Sequence, residues 1–403
     1  MSRSERYPKE FYLLIFSSVT IFLASEMTLP ILPLYVSEKG ASLFELGVII
    51  GLPSLCLILV RIPSGVVCDR VCGDYVLIAA ALGQSFSQIL LSVTPVTLWF
   101  YPIQVMSAVS IAPVVPLSIA ITSEISPPGR KGETMGVFLS SFGLAITIGP
   151  LLCSYLLTMM SYSQVFLVSS IIPIVGVVPL LWIGRMHGFR KPQMQRPAST
   201  MAALVGIVHN RNLLVLTYLR LSYAVTYAFF ATFFVVYCEA GLSIAPPLIV
   251  FMIGVRGMTD MLARLPGGKI IDRVDYRWAI LVGFAVLAVV CFLIPEVKDP
   301  TILLALMAFY GFGVGLRVVS EWTILSNNSQ PGSRSLTAAY LSTMHNIGSG
   351  FGSVLGGVLV VAFDIPFIFK IASLLMLSSI LSIAAIRKQP REESNKIEAV
   401  SVC

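Results

Sequence analysis

Long apolar runs, broken by short polar stretches, recur about twelve times along this 403-residue chain. A helix needs about 20 apolar residues to cross a bilayer. Inside lipid every backbone amide and carbonyl must be satisfied by the protein, so a spanning segment is a helix or part of a closed barrel. Barrel strands alternate apolar and polar side chains over about ten positions, and these runs do not alternate. The expected fold is therefore an all-α polytopic membrane protein of about twelve transmembrane helices. The spans fall near 11–36, 44–67, 75–93, 97–123, 133–158, 164–184, 212–237, 246–268, 277–295, 300–325, 336–361 and 365–386. Composition agrees. Only 12% of residues are charged, against roughly 25% in soluble proteins, and mean hydropathy is +0.88. That excludes a soluble enzyme, a disordered chain and a nucleic-acid binder.

One long polar break runs from Arg185 to Asn212 and separates six spans from six. The expected organisation is an N-terminal six-helix bundle over 1–184, a linker over 185–211, a C-terminal six-helix bundle over 212–386 and a tail over 387–403. Lys and Arg set the orientation. With both termini and the linker in the cytoplasm, inner loops hold about 19 of the 27 basic residues and outer loops about two, Lys39 and Lys298. The net charge of +7 thus reports topology rather than substrate. The first apolar run, Phe11 to Val36, is too long for a cleaved leader. The seven cysteines are scattered and suggest neither a disulfide framework nor a zinc site.

The chain also repeats itself. Arg61-Ile-Pro63-Ser-Gly65-Val-Val-Cys-Asp69-Arg70 recurs as Arg264-Leu-Pro266-Gly-Gly268-Lys-Ile-Ile-Asp272-Arg273. The offset is about 203 residues, half the chain, and it also carries Pro128-Gly129 onto Pro331-Gly332 and Gly149 onto Gly352. Each repeat has an even number of spans, so the halves share one orientation. They are then related by a pseudo-two-fold axis along the membrane normal, with a cleft between them near the midplane.

At these residues the chain resembles the major facilitator superfamily over essentially its whole length. The loop after span two is similar to that family's Gly-x-x-x-Asp-Arg-x-Gly signature, with Asp74-Tyr75 replacing the usual basic pair. The resemblance implies alternating access, a monomer, no cofactor, and a latch on the cytoplasmic side. The latch would comprise Gly65, Asp69, Arg70, Gly268, Asp272 and Arg273, with Glu124 and Arg130 in the same region. Physically, the glycines suit a tight turn between spans, and the aspartates can accept hydrogen bonds from a facing helix N-terminus. In span five, Gly149-Pro150 is similar to the Gly-Pro signature of the family's exporters, although Cys153-Ser154 stands where that signature ends in Gly-Gly. A Gly-Pro pair supplies a kink. In span four Gln104 fits the pattern of proton-driven members, but Tyr101 occupies the place of their arginine.

An ionisable side chain inside a span costs several kcal/mol unless it is paired or wetted, so each is a functional candidate. Glu26 lies mid-span, four residues before Pro30. Desolvation there favours its protonated form, which suits a proton carrier, and the carboxylate could also attract a cationic substrate. Arg256 and Asp260 sit one turn apart in span eight, as do Arg317 and Glu321 in span ten. Such spacing lets each pair satisfy itself on one helix face. Otherwise Arg256 is the better substrate residue and Arg317–Glu321 the better gate. His345 can titrate or simply pack. Gln104, Tyr223, Thr226, Tyr227, Tyr310 and Asn346 are candidates to line a cavity, or to pack.

No phosphate-binding loop, metal cluster or nucleophile–base constellation stands out, which argues against an enzyme and against direct drive by ATP. The expected function is secondary transport of a small molecule across the plasma membrane. The favoured form is export of an amphipathic or drug-like compound in exchange for protons. The alternatives are uptake of a metabolite or organic anion bound by Arg256, and a transporter-like sensor without flux.

Overall fold

The computed structural model describes residues 7–70, 72–126, 130–187, 209–273, 275–329 and 334–386; within these, the side chains of 61–70, 131–132, 186–187, 265–273 and 334–335 are not described. The first half forms α1 (Lys9–Thr28), α2 (Leu32–Glu38), α3 (Leu43–Arg70), α4 (Gly73–Ser92), α5 (Phe100–Ile111), α6 (Val114–Ile125), α7 (Lys131–Leu156) and α8 (Tyr162–His187). The second half forms α9 (Arg211–Val236), α10 (Pro246–Arg273), α11 (Tyr276–Leu293), α12 (Pro300–Asn328), α13 (Arg334–Ala362) and α14 (Ile365–Ile383). Among the described residues there is no strand, and twelve segments are long and apolar enough to cross a membrane.

Two expected spans are not single helices. Span one breaks between Thr28 and Leu32, and span four between Ile111 and Val114. Proline is the cause in both. Pro30 and Pro113 have no amide to donate, and their rings crowd the carbonyl four residues back. For Pro30 that carbonyl belongs to Glu26. Elsewhere the prolines are absorbed: Pro150 lies inside α7, and Pro173 and Pro179 inside α8. A second difference concerns the signature expected as a turn after span two. Gly65 to Arg70 are helical, and α4 begins at Gly73. The motif is the last two turns of α3, and its counterpart Gly268–Arg273 closes α10 in the same way.

Within the first half α1 packs on α7 and α8, and α4 on α5 and α8; within the second, α12 packs on α10 and α11, and α9 on α13 and α14. Two extensive contacts join the halves, α3 with α13 and α7 with α10, and α9 also touches α2 and α3. In the repeat α3 corresponds to α10 and α7 to α13, so these two contacts are images of each other under the pseudo-two-fold.

Small residues make both contacts possible by letting backbones approach. A Cβ added to Gly47 would lie 2.5 Å from the Ser353 carbonyl oxygen, and one on Gly51 would lie 2.7 Å from that of Gly350. On the other side, a Cβ on Gly257 would lie 2.8 Å from the Ile146 carbonyl oxygen. That oxygen has lost its helical donor, because the residue four positions on is Pro150.

These contacts lie away from the chain termini, in the halves of the helices nearer Lys39, Met160, Leu242 and Lys298. At that far end Ser154 Oγ donates to the Pro247 carbonyl at 2.7 Å, and the Tyr162 hydroxyl donates to Glu239 Oε1 at 3.3 Å. Both bonds cross from one half to the other. Nearer the middle, Ser54 Oγ and Ser349 Oγ are 3.4 Å apart. The halves are therefore closed against each other at the far end.

Candidate functional site

Two ionisable groups from opposite halves lie in the interior on either side of α7. Glu26 is in α1 and Arg256 in α10, and they lie within electrostatic reach of each other. Both flank the same stretch of α7. Gly149 sits against Glu26, with an added Cβ only 2.9 Å from the Glu26 carbonyl carbon, while Gly254 and Gly257 sit against Leu151 and Ile146. Both residues remain only part-buried, Glu26 in the last turn of α1 and Arg256 midway along α10, inside an apolar bundle. Gly149, expected to serve a kink with Pro150, also leaves room for the backbone that carries Glu26.

Arg256 is held by rings. Its guanidinium carbon lies 5.7 Å from the Tyr227 ring centroid, 5.5 Å from Phe230 and 5.9 Å from Tyr310. Each such contact is worth about 0.5–2 kcal/mol when desolvated. Among the described residues Arg256 Nε is buried without a hydrogen-bond partner, and so is the hydroxyl of Tyr310. Helix α12 can approach because Gly311 abuts the Arg256 carbonyl and Gly315 that of Asp260.

The expected Arg256–Asp260 pair does not form. Arg264 Nε and Nη2 donate to the two Asp260 oxygens instead, each at 2.8 Å. Asp260 has an arginine one turn away on both sides. The acid-before-base order of Asp260–Arg264 is the better one on a helix, where it agrees with the dipole. This leaves Arg256 without a carboxylate in salt-bridge contact among the described residues.

The Arg317–Glu321 pair does form, with a third member. Arg317 Nη1 donates to Glu321 Oε1, and Arg220 Nη1 donates to Glu321 Oε2 at 2.7 Å. Arg317 is 2% exposed and Glu321 4%. The Arg317 guanidinium carbon stands 3.5 Å from the Tyr223 ring centroid. Tyr223 in turn stacks with Tyr227, at 6.1 Å between centroids, and with His345, at 6.2 Å. One chain of rings thus connects the Arg220–Glu321–Arg317 triad to Arg256.

Of the other expected cavity residues, Thr226 and Asn346 are buried, with Thr226 Oγ1 and Asn346 Nδ2 unpartnered among the described residues. Gln104 is buried in α5. Glu124 is exposed in the last turn of α6. Arg130 donates to both oxygens of Glu133, at 2.8 and 2.9 Å, and the Tyr7 hydroxyl donates to the same carboxylate at 2.7 Å. The side chains of Asp69, Arg70, Asp272 and Arg273, and the surroundings of Gly65 and Gly268, lie outside the described residues.

Two participants were not singled out from the sequence, Phe230 and Arg220. The signal was there. Arg220, Tyr223, Tyr227 and Phe230 follow spacings of three and four, which places them on one face of α9. A separate cleft of about 270 Å³ opens at the far end, lined by Tyr35, Glu38, Tyr162, Pro246 and neighbours. It borders the Tyr162–Glu239 contact and does not include Glu26 or Arg256.

Twelve helical spans in two repeated halves, facing each other across an interior acid and arginine, define an integral membrane protein of the transporter type. The chain belongs to the Major Facilitator Superfamily, whose family model matches residues 14–259 and 221–401. It is 20% identical over 372 residues to an uncharacterised transporter of this type from Methanocaldococcus jannaschii, covering 91% of this chain and 95% of that one. It is 21% identical over 342 residues to a protein named as a multidrug resistance efflux pump homolog in Lactococcus lactis, covering 83% and 84%. In fold it is similar to the inward-facing, occupied crystal structure of a bacterial homolog of the human lysosomal transporter Spinster. The TM-score there is 0.73 at 13% identity, covering 93% of this chain and 94% of that one.

Proposed function

We propose that this chain is a proton-coupled secondary transporter of an amphipathic small molecule, with Glu26 as the proton-carrying group. One observation carries the reading: Glu26 and Arg256 come from opposite halves, remain part-buried in the interior, and flank the same stretch of α7. An acid facing an arginine across the interface between two moving halves changes its surroundings whenever the halves move. Its proton affinity then differs between the two access states, which is what coupling requires. The closed far end supports an inward-facing assignment if both termini are cytoplasmic, as the distribution of Lys and Arg favours. On that orientation the protein sits in the plasma membrane, and the two six-helix bundles, 1–184 and 212–386, act as the rocking bodies.

The relative named as an efflux pump supports export as the direction. A second reading, cotransport of an organic anion, is favoured by Arg256, which faces the interior with no carboxylate bonded to it among the described residues. Both are tested by following amphipathic dyes of each charge in membrane vesicles, with and without a collapsed proton gradient. Gradient-dependent movement in wild type, lost in Glu26→Gln, is the expected result. Unchanged pH dependence in Glu26→Gln would move the proton site elsewhere.

A further inference from the structure

We infer that the cleft at the far end binds a compact organic cation, an ammonium with an apolar substituent, and that such a ligand holds the two halves closed. The walls come from both halves: Tyr35, Glu38, Ser161 and Tyr162 from the first, Pro246 and Pro247 from the second. The volume, about 270 Å³, lies just below the ~300–1,000 Å³ of sites for drug-sized ligands, so the occupant is small. The lining includes neither Glu26 nor Arg256, which makes the site independent of the proton-coupling reading.

The lining selects by charge. Glu38 is exposed and makes no salt bridge among the described residues. The rings of Tyr35 and Tyr162 stand 6.3 Å apart between centroids, and a ring face attracts a cation through its quadrupole. One of these rings already holds an ammonium of the chain's own: Lys39 Nζ lies 5.1 Å from the Tyr35 centroid. An anion would find few donors. Pro246 and Pro247 have no backbone N–H, the Ser161 amide donates to Gln164 Oε1 at 2.9 Å, and the Tyr162 hydroxyl donates to Glu239. A neutral amphiphile would gain the apolar walls and nothing from Glu38. The surrounding surface favours a cation too. Over the far helix ends and loops (29–46, 93–100, 157–163, 237–246, 294–300 and 362–370) there are six carboxylates against three lysines and no arginine. One of those lysines, Lys370, is taken by Glu296 at 3.0 Å. The negative field that remains raises the local concentration of cations.

Closure follows from the walls. Pro246 and Pro247 meet the first half where Ser154 Oγ donates to the Pro247 carbonyl and where Tyr162 reaches Glu239. A ligand in the cleft touches both halves only while these contacts hold, and it loses the second-half wall when the halves part. It therefore binds the closed far end more tightly than the open one and shifts the population toward closure. That makes it a brake on the cycle rather than a transported compound.

The test is titration calorimetry on the purified full chain in nanodiscs of zwitterionic lipid, with benzyltrimethylammonium, benzyl alcohol and phenylacetate as probes. Both faces are open to solvent there, so the result does not depend on membrane orientation. The ammonium should bind about tenfold more tightly than either other probe, or better. Glu38→Gln should weaken it about tenfold. Lys39→Gln, which removes the competing cation from the Tyr35 ring, should strengthen it. Place and state are read separately. The ammonium, and not phenylacetate, should slow maleimide labelling of the Ser161→Cys variant, followed at that residue by mass spectrometry. With Ser54→Cys and Ser349→Cys joined by oxidation in a background without Cys56, the ammonium should bind at least as tightly as to the reduced form. Preference for the alcohol or the anion, no protection in Ser161→Cys, shifts of the same sign in Glu38→Gln and Lys39→Gln, or loss of binding on oxidation overturns the inference. Transport that ignores Glu26 would sink the coupling reading and leave this one standing.

Discussion

Glu321 holds two arginines inside a helix bundle, and all three charges depend on that arrangement. Arg317 is almost fully enclosed, so removing its counter-charge leaves a desolvated cation beside Arg220. Breaking a buried ion pair from one side costs about 3–5 kcal/mol. Glu321→Gln should therefore lower stability by about 3 kcal/mol, read as thermal unfolding of the purified protein. Unchanged stability would mean that water reaches the triad. At this scale the sequence was informative about which residues matter and less so about their partners. Glu26, Arg256 and the tyrosines were visible as polar groups in apolar runs. The partner of Asp260 was not, because Arg256 and Arg264 lie at equal distance along the helix on either side. Arg220 is near Glu321 only through the packing of α9 on α12, which no local spacing reveals.

Helices in this protein are shaped by prolines and fitted by glycines. Pro30 and Pro113 end helices, whereas Pro150 leaves α7 continuous and frees the Ile146 carbonyl where Gly257 passes. That crossing makes a graded prediction. Gly257→Val places carbon 2.8 Å from a backbone oxygen that cannot swing aside, so the α7–α10 contact must shift. Transport should fall at least tenfold while the protein still inserts in the membrane, an effect in line with the ~1–3 kcal/mol cost of overpacking. Gly136→Ala is the control, because a Cβ there meets nothing within 4 Å. Its flux should match wild type. Equal effects of the two would show that the close approach is not needed for cycling. The spans themselves could be read from hydropathy. Which prolines break a helix could not, since Pro30, Pro113 and Pro150 all sit inside apolar runs of the same kind.

The whole molecule is two repeated halves touching through paired helix crossings. The half-chain offset exposed the repeat, and with it the pseudo-two-fold. Closure at the far end was not legible, because it depends on glycine faces meeting across the halves. Alternating access requires that closure to open. Ser54 and Ser349 are close enough at 3.4 Å for a cross-link. In a background without Cys56, Ser54→Cys with Ser349→Cys should form a disulfide on oxidation and stop transport, and reduction should restore it. Full flux with the cross-link intact would mean that this contact does not separate during the cycle.

The central claim is that Glu26 couples proton movement to substrate movement without being needed for the halves to rock. Counterflow and gradient-driven accumulation, measured side by side in proteoliposomes for wild type and Glu26→Gln, separate the two. The variant should retain exchange of labelled for unlabelled substrate at near the wild-type rate and lose accumulation driven by a pH gradient. Accumulation against a concentration gradient in Glu26→Gln, driven by pH as in wild type, would contradict the account.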